Sequence, residues 1–135
     1  MKKILAIIEK GEDGGYSIYA ADDMVPVVGD GLTETEARES FEECLQEQAT
    51  YMMERTGEWP DWYDAQMEVD YRYDMSAFFM AFPFINVTEF AKSIDINPSL
   101  MRKYKSGVAK AGPKQKDLIQ HKFEDILTRL SAVRF

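Results

Sequence analysis

Cysteine and histidine are almost missing from this sequence: Cys44 and His121 each stand alone among 135 residues. A single cysteine cannot close an internal disulfide, which suits a chain kept in a reducing cytoplasm. One histidine is too few for the His/Cys sets that hold zinc, and no Ser–His or Cys–His nucleophilic pair is evident. His121, between Gln120 and Lys122, reads as a surface residue. Nor is there any run of the eighteen or so apolar residues that a membrane span needs. The opening stretch, Met1–Lys10, is apolar only briefly and lacks a small-residue cleavage site, so it reads as a first strand rather than a signal peptide. Gly-rich phosphate-loop spacing is also lacking, and Gly11–Gly15 suits a hairpin turn better. Low-complexity segments and internal repeats are absent.

What the chain has in abundance is charge, unevenly placed. The net charge of −8 combines two opposite halves: residues 1–85 carry six Lys/Arg against nineteen Asp/Glu, a balance of −13, and residues 86–135 carry ten against five, a balance of +5. A basic module can approach a phosphate backbone, whereas an acidic one is repelled by it. The split therefore suggests two modules with different partners. We place them at 1–74, acidic and expected to bind a partner, and 75–135, basic and suited to approach a phosphate backbone.

The acidic half alternates in the manner of strands. Lys3–Glu9 is short, apolar and β-branched, and Tyr16–Ala21 alternates after the Gly-Glu-Asp-Gly-Gly turn, so the two predict a hairpin. Val27-Val28 suits a third short strand that Gly29-Asp30-Gly31 would break. Thr33 with Glu36 three residues on has the form of a capping box. Ala37, Phe41, Cys44, Leu45, Ala49 and Met52 then recur at helical spacing, predicting a helix from about Thr33 to Arg55 that ends at Thr56-Gly57. Met67–Tyr73 alternates again as a strand. The order is β-β-β-α-β. The apolar segment Ala77–Phe82, closed by Pro83, predicts a short helix that serves as linker and as first core element of the second module.

From Asn86 to Gly107 the residues fall where a helix-turn-helix wants them. Ala91 is small where two helices would cross. Phe90 and Ile94 supply an apolar face, and Ile96 plugs the turn. Asn97 and Pro98 are an N-cap followed by a residue of preset φ. Met101 and Tyr104 would face the core, and Gly107 would end the helix. Asn97, Ser99, Arg102, Lys103, Lys105 and Ser106 are then the candidate DNA contacts, with Lys110 in the following loop as a further phosphate contact. Pro113 opens a last helix with Leu118, Ile119, Phe123, Ile126, Leu127 and Leu130 along one stripe.

This stretch resembles the Cro/repressor type of helix-turn-helix over about a third of the chain. Asp95 departs from it, occupying the turn position where the family usually has Gly. Asp tolerates the left-handed conformation better than most residues. Over nearly the whole chain, Gly15–Tyr19 on the second strand, Gly29–Ala37 entering the helix, and the domain order resemble the HicB antitoxin family. The resemblance implies an α+β chain with a partial ribonuclease-H-like N-terminal domain, without nuclease activity, before an all-α helix-turn-helix domain. It also implies a partner, a basic HicA-type toxin that cleaves messenger RNA, and binding to the operator of the protein's own operon. The Asp22–Val28 loop departs from the family, having Asp23-Met24-Val25-Pro26 where many members carry an aspartate-leucine-proline-glycine turn.

Charge supports the same reading: a −13 domain suits a basic partner, chiefly by steering the encounter. A lone helix-turn-helix makes few base contacts, so a homodimer or higher even oligomer is expected, with Ala77–Phe84 and the last helix as candidate contacts. No cofactor, metal or catalytic residue is expected. Two other readings remain: a free-standing repressor whose acidic domain senses a small ligand, and an active ribonuclease-H-like nuclease. The latter would need Asp22, Asp23, Asp30 and Asp70 to converge on magnesium, yet three of these lie in turns and Asp70 lies on the polar side of a strand.

Overall fold

Isoleucine and alanine at alternate positions of Lys3–Lys10 let that run serve as the central strand, β1. In the computed structural model, which describes residues 2–135, β1 pairs antiparallel with β2 (Tyr16–Ala20) and parallel with β4 (Glu68–Tyr73). β3 (Val28–Gly31) pairs antiparallel with β2, giving the order β3-β2-β1-β4. Helix α1 (Glu34–Thr56) crosses between β3 and β4, and four more helices follow: α2 (Met75–Ala81), α3 (Val87–Ser93), α4 (Pro98–Ser106) and α5 (Pro113–Ser131). The architecture is α+β, with a four-stranded mixed sheet and five helices.

α1 lies on one face of the sheet. Its Ala37, Phe41, Leu45 and Ala49 are buried at four-residue steps, the first three against Ile4, Ala6, Ile8, Ile18 and Val27. Thr33 caps the helix, its Oγ1 accepting from the Glu36 amide at 3.1 Å. The Glu36 carboxylate, however, accepts from the Leu32 amide rather than from the capping residue's own N–H. Gly57 closes the helix in the left-handed conformation, φ 81°.

The expectation that Gly29-Asp30-Gly31 breaks the third strand is overturned, because those residues are the strand. A Cβ on Gly29 would stand 2.3 Å from the Phe41 nitrogen, and one on Gly31 would stand 2.5 Å from the Ala37 nitrogen. The helix backbone rests on the strand backbone, a separation only glycine permits. Ser40 Oγ also accepts the Asp30 amide at 3.2 Å, so α1 covers the outer edge of β3.

α2 begins two residues earlier than the sequence suggests, because Asp74 caps it: Asp74 Oδ1 accepts from the Ala77 amide at 3.0 Å and from Ser76 Oγ at 2.6 Å. Ser76 Oγ in turn accepts the Lys10 amide at 3.0 Å, which ties the end of β1 to the helix. Successive residues of α2 then serve different cores. Ala77 packs with the sheet, whereas Phe78 and Phe79 pack with Phe90, Ala91, Ile94, Ile96, Met101, Tyr104 and Ile119. α5 corrects another expectation. Its stripe is buried at Ile119 and half-buried at Phe123 and Ile126, but Leu118, Leu127 and Leu130 are exposed.

Gly29 is not at positive φ, so an added Cβ there costs only its collision with α1. Gly29→Ala is expected to lose on the order of 2 kcal/mol by overpacking, while Gly57→Ala, in open space but at positive φ, loses about 1 kcal/mol. Urea unfolding of both variants checks this; equal losses would mean that α1 and β3 separate without cost.

Candidate nucleic-acid interface

Asn97 followed by Pro98 starts α4 with an acceptor and a fixed φ, so its first turn needs no tertiary help. Asn97 Oδ1 accepts from the Ser99 amide at 2.8 Å and from the Leu100 amide at 3.4 Å. Gly107, at φ 83°, ends the helix in the left-handed conformation. Between them, Met101 and Tyr104 are buried and anchor one side of α4 against Phe90, Ala91 and Ile94 of the preceding helix and turn.

The turn from α3 to α4 is tight. The Ile96 amide reaches back to the Ala91 carbonyl at 2.9 Å, while the Ile94 and Ile96 side chains are buried beneath it. Among the described residues Asp95 is the one non-glycine at positive φ, 56°, as the substitution for glycine there requires. Its exposed carboxylate takes a 2.9 Å ion pair from Lys122 of α5, so the turn is tied to the last helix.

With Met101 and Tyr104 inward, the roughly 100° step per residue of an α-helix puts Ser99, Arg102, Lys103 and Ser106 together on the opposite side. Lys105 falls on the flank. All five are exposed. They are not equally free. Arg102 donates to Thr88 Oγ1 of α3 and to Ser99 Oγ, both at 3.2 Å, so its guanidinium is held across the junction of the two helices. Ser106 Oγ donates to the Lys103 carbonyl at 3.1 Å. Among the described residues Lys103 and Lys105 are in no ion pair, and they project from the last turn, where cations also favour the helix dipole. Thr88 went unrecognised from sequence. Its role depends on how α3 crosses α4, and no local pattern carries that signal.

Lys110 stands apart from the other six candidates. Its Nζ lies 2.7 Å from Glu9 Oε2 and 5.6 Å from the centre of the Tyr19 ring, on the side of the sheet facing away from α1. The Glu9 carboxylate beside it holds its ammonium above the usual lysine range. Between this pair and α5 lies a groove of about 470 Å³, lined by Leu5, Tyr19, Tyr73, Phe78, Lys116 and Phe123 among others.

The carboxylates of the acidic half do not gather. Among the described residues no three His, Cys, Asp or Glu side chains are placed to hold one metal ion. Asp70 is held by Arg72 through two contacts, at 2.9 and 3.2 Å, which keep its carboxyl below the usual carboxylate range. The acids of α1 instead line its outer side: Glu36, Glu39, Glu43, Glu47 and Glu54 are all exposed and recur at three-, four- and seven-residue spacings. No helix is long and apolar enough to cross a membrane among the described residues. No protein-family model matches the chain, no curated protein is similar to it in sequence, and no solved structure matches its fold.

The φ of Asp95 gives a stability test. Asp95→Ala is expected to cost about 1 kcal/mol, because alanine tolerates the left-handed region poorly. Asp95→Gly, which relieves that strain but loses an exposed ion pair of small worth, is expected to be neutral or slightly stabilising. Thermal unfolding of the pair decides; alanine as stable as aspartate would show that the turn does not depend on this conformation.

Proposed function

We propose that the chain is an antitoxin of the HicB type that represses its own operon: α3 and α4 form a helix-turn-helix that reads operator DNA, and the acidic domain masks a basic, HicA-like toxin. The observation that carries this reading is the arrangement of α4. Met101 and Tyr104 fix the helix from behind while Ser99, Arg102, Lys103 and Ser106 are presented together in front. A groove-reading helix needs that combination of rigid backing and exposed donors. Thr88 and Ser99 hold the Arg102 guanidinium in one orientation, which favours base or phosphate contact in a single register.

The partner half of the reading rests on charge and topology. The glutamates of α1 form an outward stripe without lysine or arginine partners across it among the described residues, a surface that attracts a basic, RNA-binding protein. Three antiparallel strands with β4 parallel to β1 support a partial ribonuclease-H-like domain. The absence of a convergent carboxylate set among the described residues favours a binding role over nuclease chemistry. A dimer or higher even oligomer fits the short α4, and the apolar stripe of α5 is suited to contribute: it runs past the part of the domain that buries it, leaving Leu127 and Leu130 exposed. Such a protein works in the cytoplasm beside its operon.

A second reading, a repressor that senses a small ligand, is favoured by the groove between the sheet and α5, whose walls come from both halves of the chain. The two readings part on the genome. An antitoxin is encoded beside a short, basic reading frame, and a ligand sensor need not be.

The test is salt-dependent binding of the full chain to the DNA upstream of its gene, by fluorescence anisotropy. Lys103→Ala is expected to lose on the order of 1–3 kcal/mol and to relax sequence preference, while Lys105→Ala weakens all sequences alike and lowers the salt slope by about one. Lys110→Ala, already committed to Glu9, leaves the slope unchanged. If neither α4 variant alters binding, α4 does not read DNA.

A further inference from the structure

The two edges of the sheet differ in one respect: β3 is closed and β4 is open. At β3, α1 lies against the strand and Ser40 takes the outward amide of Asp30. At β4 no helix or loop among the described residues pairs with the outer side. The Glu68 amide donates to Lys2 and the Asp74 amide to Ile8, each at 2.9 Å. Even-numbered residues of β4 therefore bond to β1, and the backbone amides and carbonyls of Val69, Tyr71 and Tyr73 point outward. This is a six-residue edge without proline, bulge or covering element, the kind that pairs with another strand when one is presented.

We propose that the outer edge of β4 is a self-association site, pairing antiparallel with β4 of a second copy of this chain to join two sheets into one. The strand's own sequence selects that occupant. Glu68-Val69-Asp70-Tyr71-Arg72-Tyr73 has opposite charges on either side of Tyr71. A two-fold axis through Tyr71 sets each Asp70 opposite the Arg72 of the other copy, twice over. Tyr71 meets Tyr71, and Val69 meets Tyr73. These outward-facing residues form the hydrogen-bonded pairs, exchanging amide and carbonyl in both directions. Asp70 and Arg72 then form the closer, non-hydrogen-bonded pairs, with Cβ atoms roughly 5 Å apart. Arg72 and Asp70 already share the face turned away from α1, contacting each other at 2.9 Å with the arginine 63% and the aspartate 38% exposed, so both are available for a cross-strand network. A parallel alignment, or a register shifted by one residue, loses this match. The site is distinct from α4 and does not depend on DNA binding.

Two measurements on the full chain test it: mass by light scattering over a concentration series, and hydrogen exchange at individual backbone amides. Protection at Val69, Tyr71 and Tyr73 is expected to rise with protein concentration, together with mass. Asp70→Arg and Arg72→Asp each place like charges opposite one another, and each should raise the dissociation constant by about tenfold. The double variant Asp70→Arg/Arg72→Asp restores opposite charges and should restore association. All three changes are at exposed side chains, and near-native circular dichroism confirms that each variant folds. Val69→Pro, which removes an outward amide and none bonded to β1, should abolish the association. Leu130→Glu separates this site from α5, since it leaves the protection at β4 in place. The proposal is overturned if those three amides exchange freely at every concentration, if the double variant associates no better than the singles, or if protection appears only when another protein is added.

Discussion

The seven residues of α2 must satisfy two cores at once, and the rest of the molecule is arranged around that demand. Asp74 ends the sheet's last strand and caps the helix. Ser76 passes a hydrogen bond from the Lys10 amide to the Asp74 carboxylate. One residue later Ala77 is buried against the sheet, and the next two, Phe78 and Phe79, enter the helical core. The hydrogen bond from Lys10 to Ser76 is partly buried, where an amide left without its partner is penalised, so the serine fixes where β1 stops and the helical half begins. α2 packs against both β1 and α4, and α4 therefore has a defined place relative to the sheet without any long linker.

Aromatic packing continues from that point. Phe78 lies 5.4 Å from Phe90 and 5.5 Å from Phe123, ring centre to ring centre, and so joins α2, α3 and α5. Such pairs contribute about 0.5–1.5 kcal/mol beyond area alone, and their offset geometries restrict how the helices approach. The series then runs outward through Phe82 to Phe84, which is 83% exposed. The helical half thus buries its aromatic centre while leaving its far end, with Leu127 and Leu130 of α5, without cover.

Much of this was legible in the sequence. The element order, the Thr33 and Gly57 caps, the inward set Phe90, Ala91, Ile94, Ile96, Met101 and Tyr104, and the left-handed Asp95 all follow from local chemistry: spacing, capping and φ preference. What escaped depends on two segments meeting. Glycines read as strand breakers became a strand because a helix backbone presses on them, and only the assembled pair shows why a side chain is impossible there. Arg102 is held by Thr88 fourteen positions earlier, and Lys110 pairs with Glu9 across almost the whole chain. Neither contact has a signature at one locus. Leu118 and Leu130 follow the helical period correctly yet remain exposed, because periodicity reports which side of a helix is apolar and not how far its neighbours extend.

The chain also has to prevent its acidic half from occupying its own basic helix. Opposite charges of −13 and +5 on one short chain invite an internal complex between the two. The sheet stands between them. Ile4, Ala6 and Ile8 of β1 face α1, whereas Leu5 and Ile7 face the groove beside Lys110 and α5. The glutamate stripe lies on the far side of α1, a helix diameter of about 10 Å further out. That exceeds a Debye length of about 8 Å at physiological salt, beyond which exposed charges are largely screened. Among the described residues one ion pair crosses between the halves, Lys110 with Glu9, and it involves neither the stripe nor α4. The two charged surfaces are thereby kept apart from each other, and the cation read from sequence as a phosphate contact is the one that joins the halves.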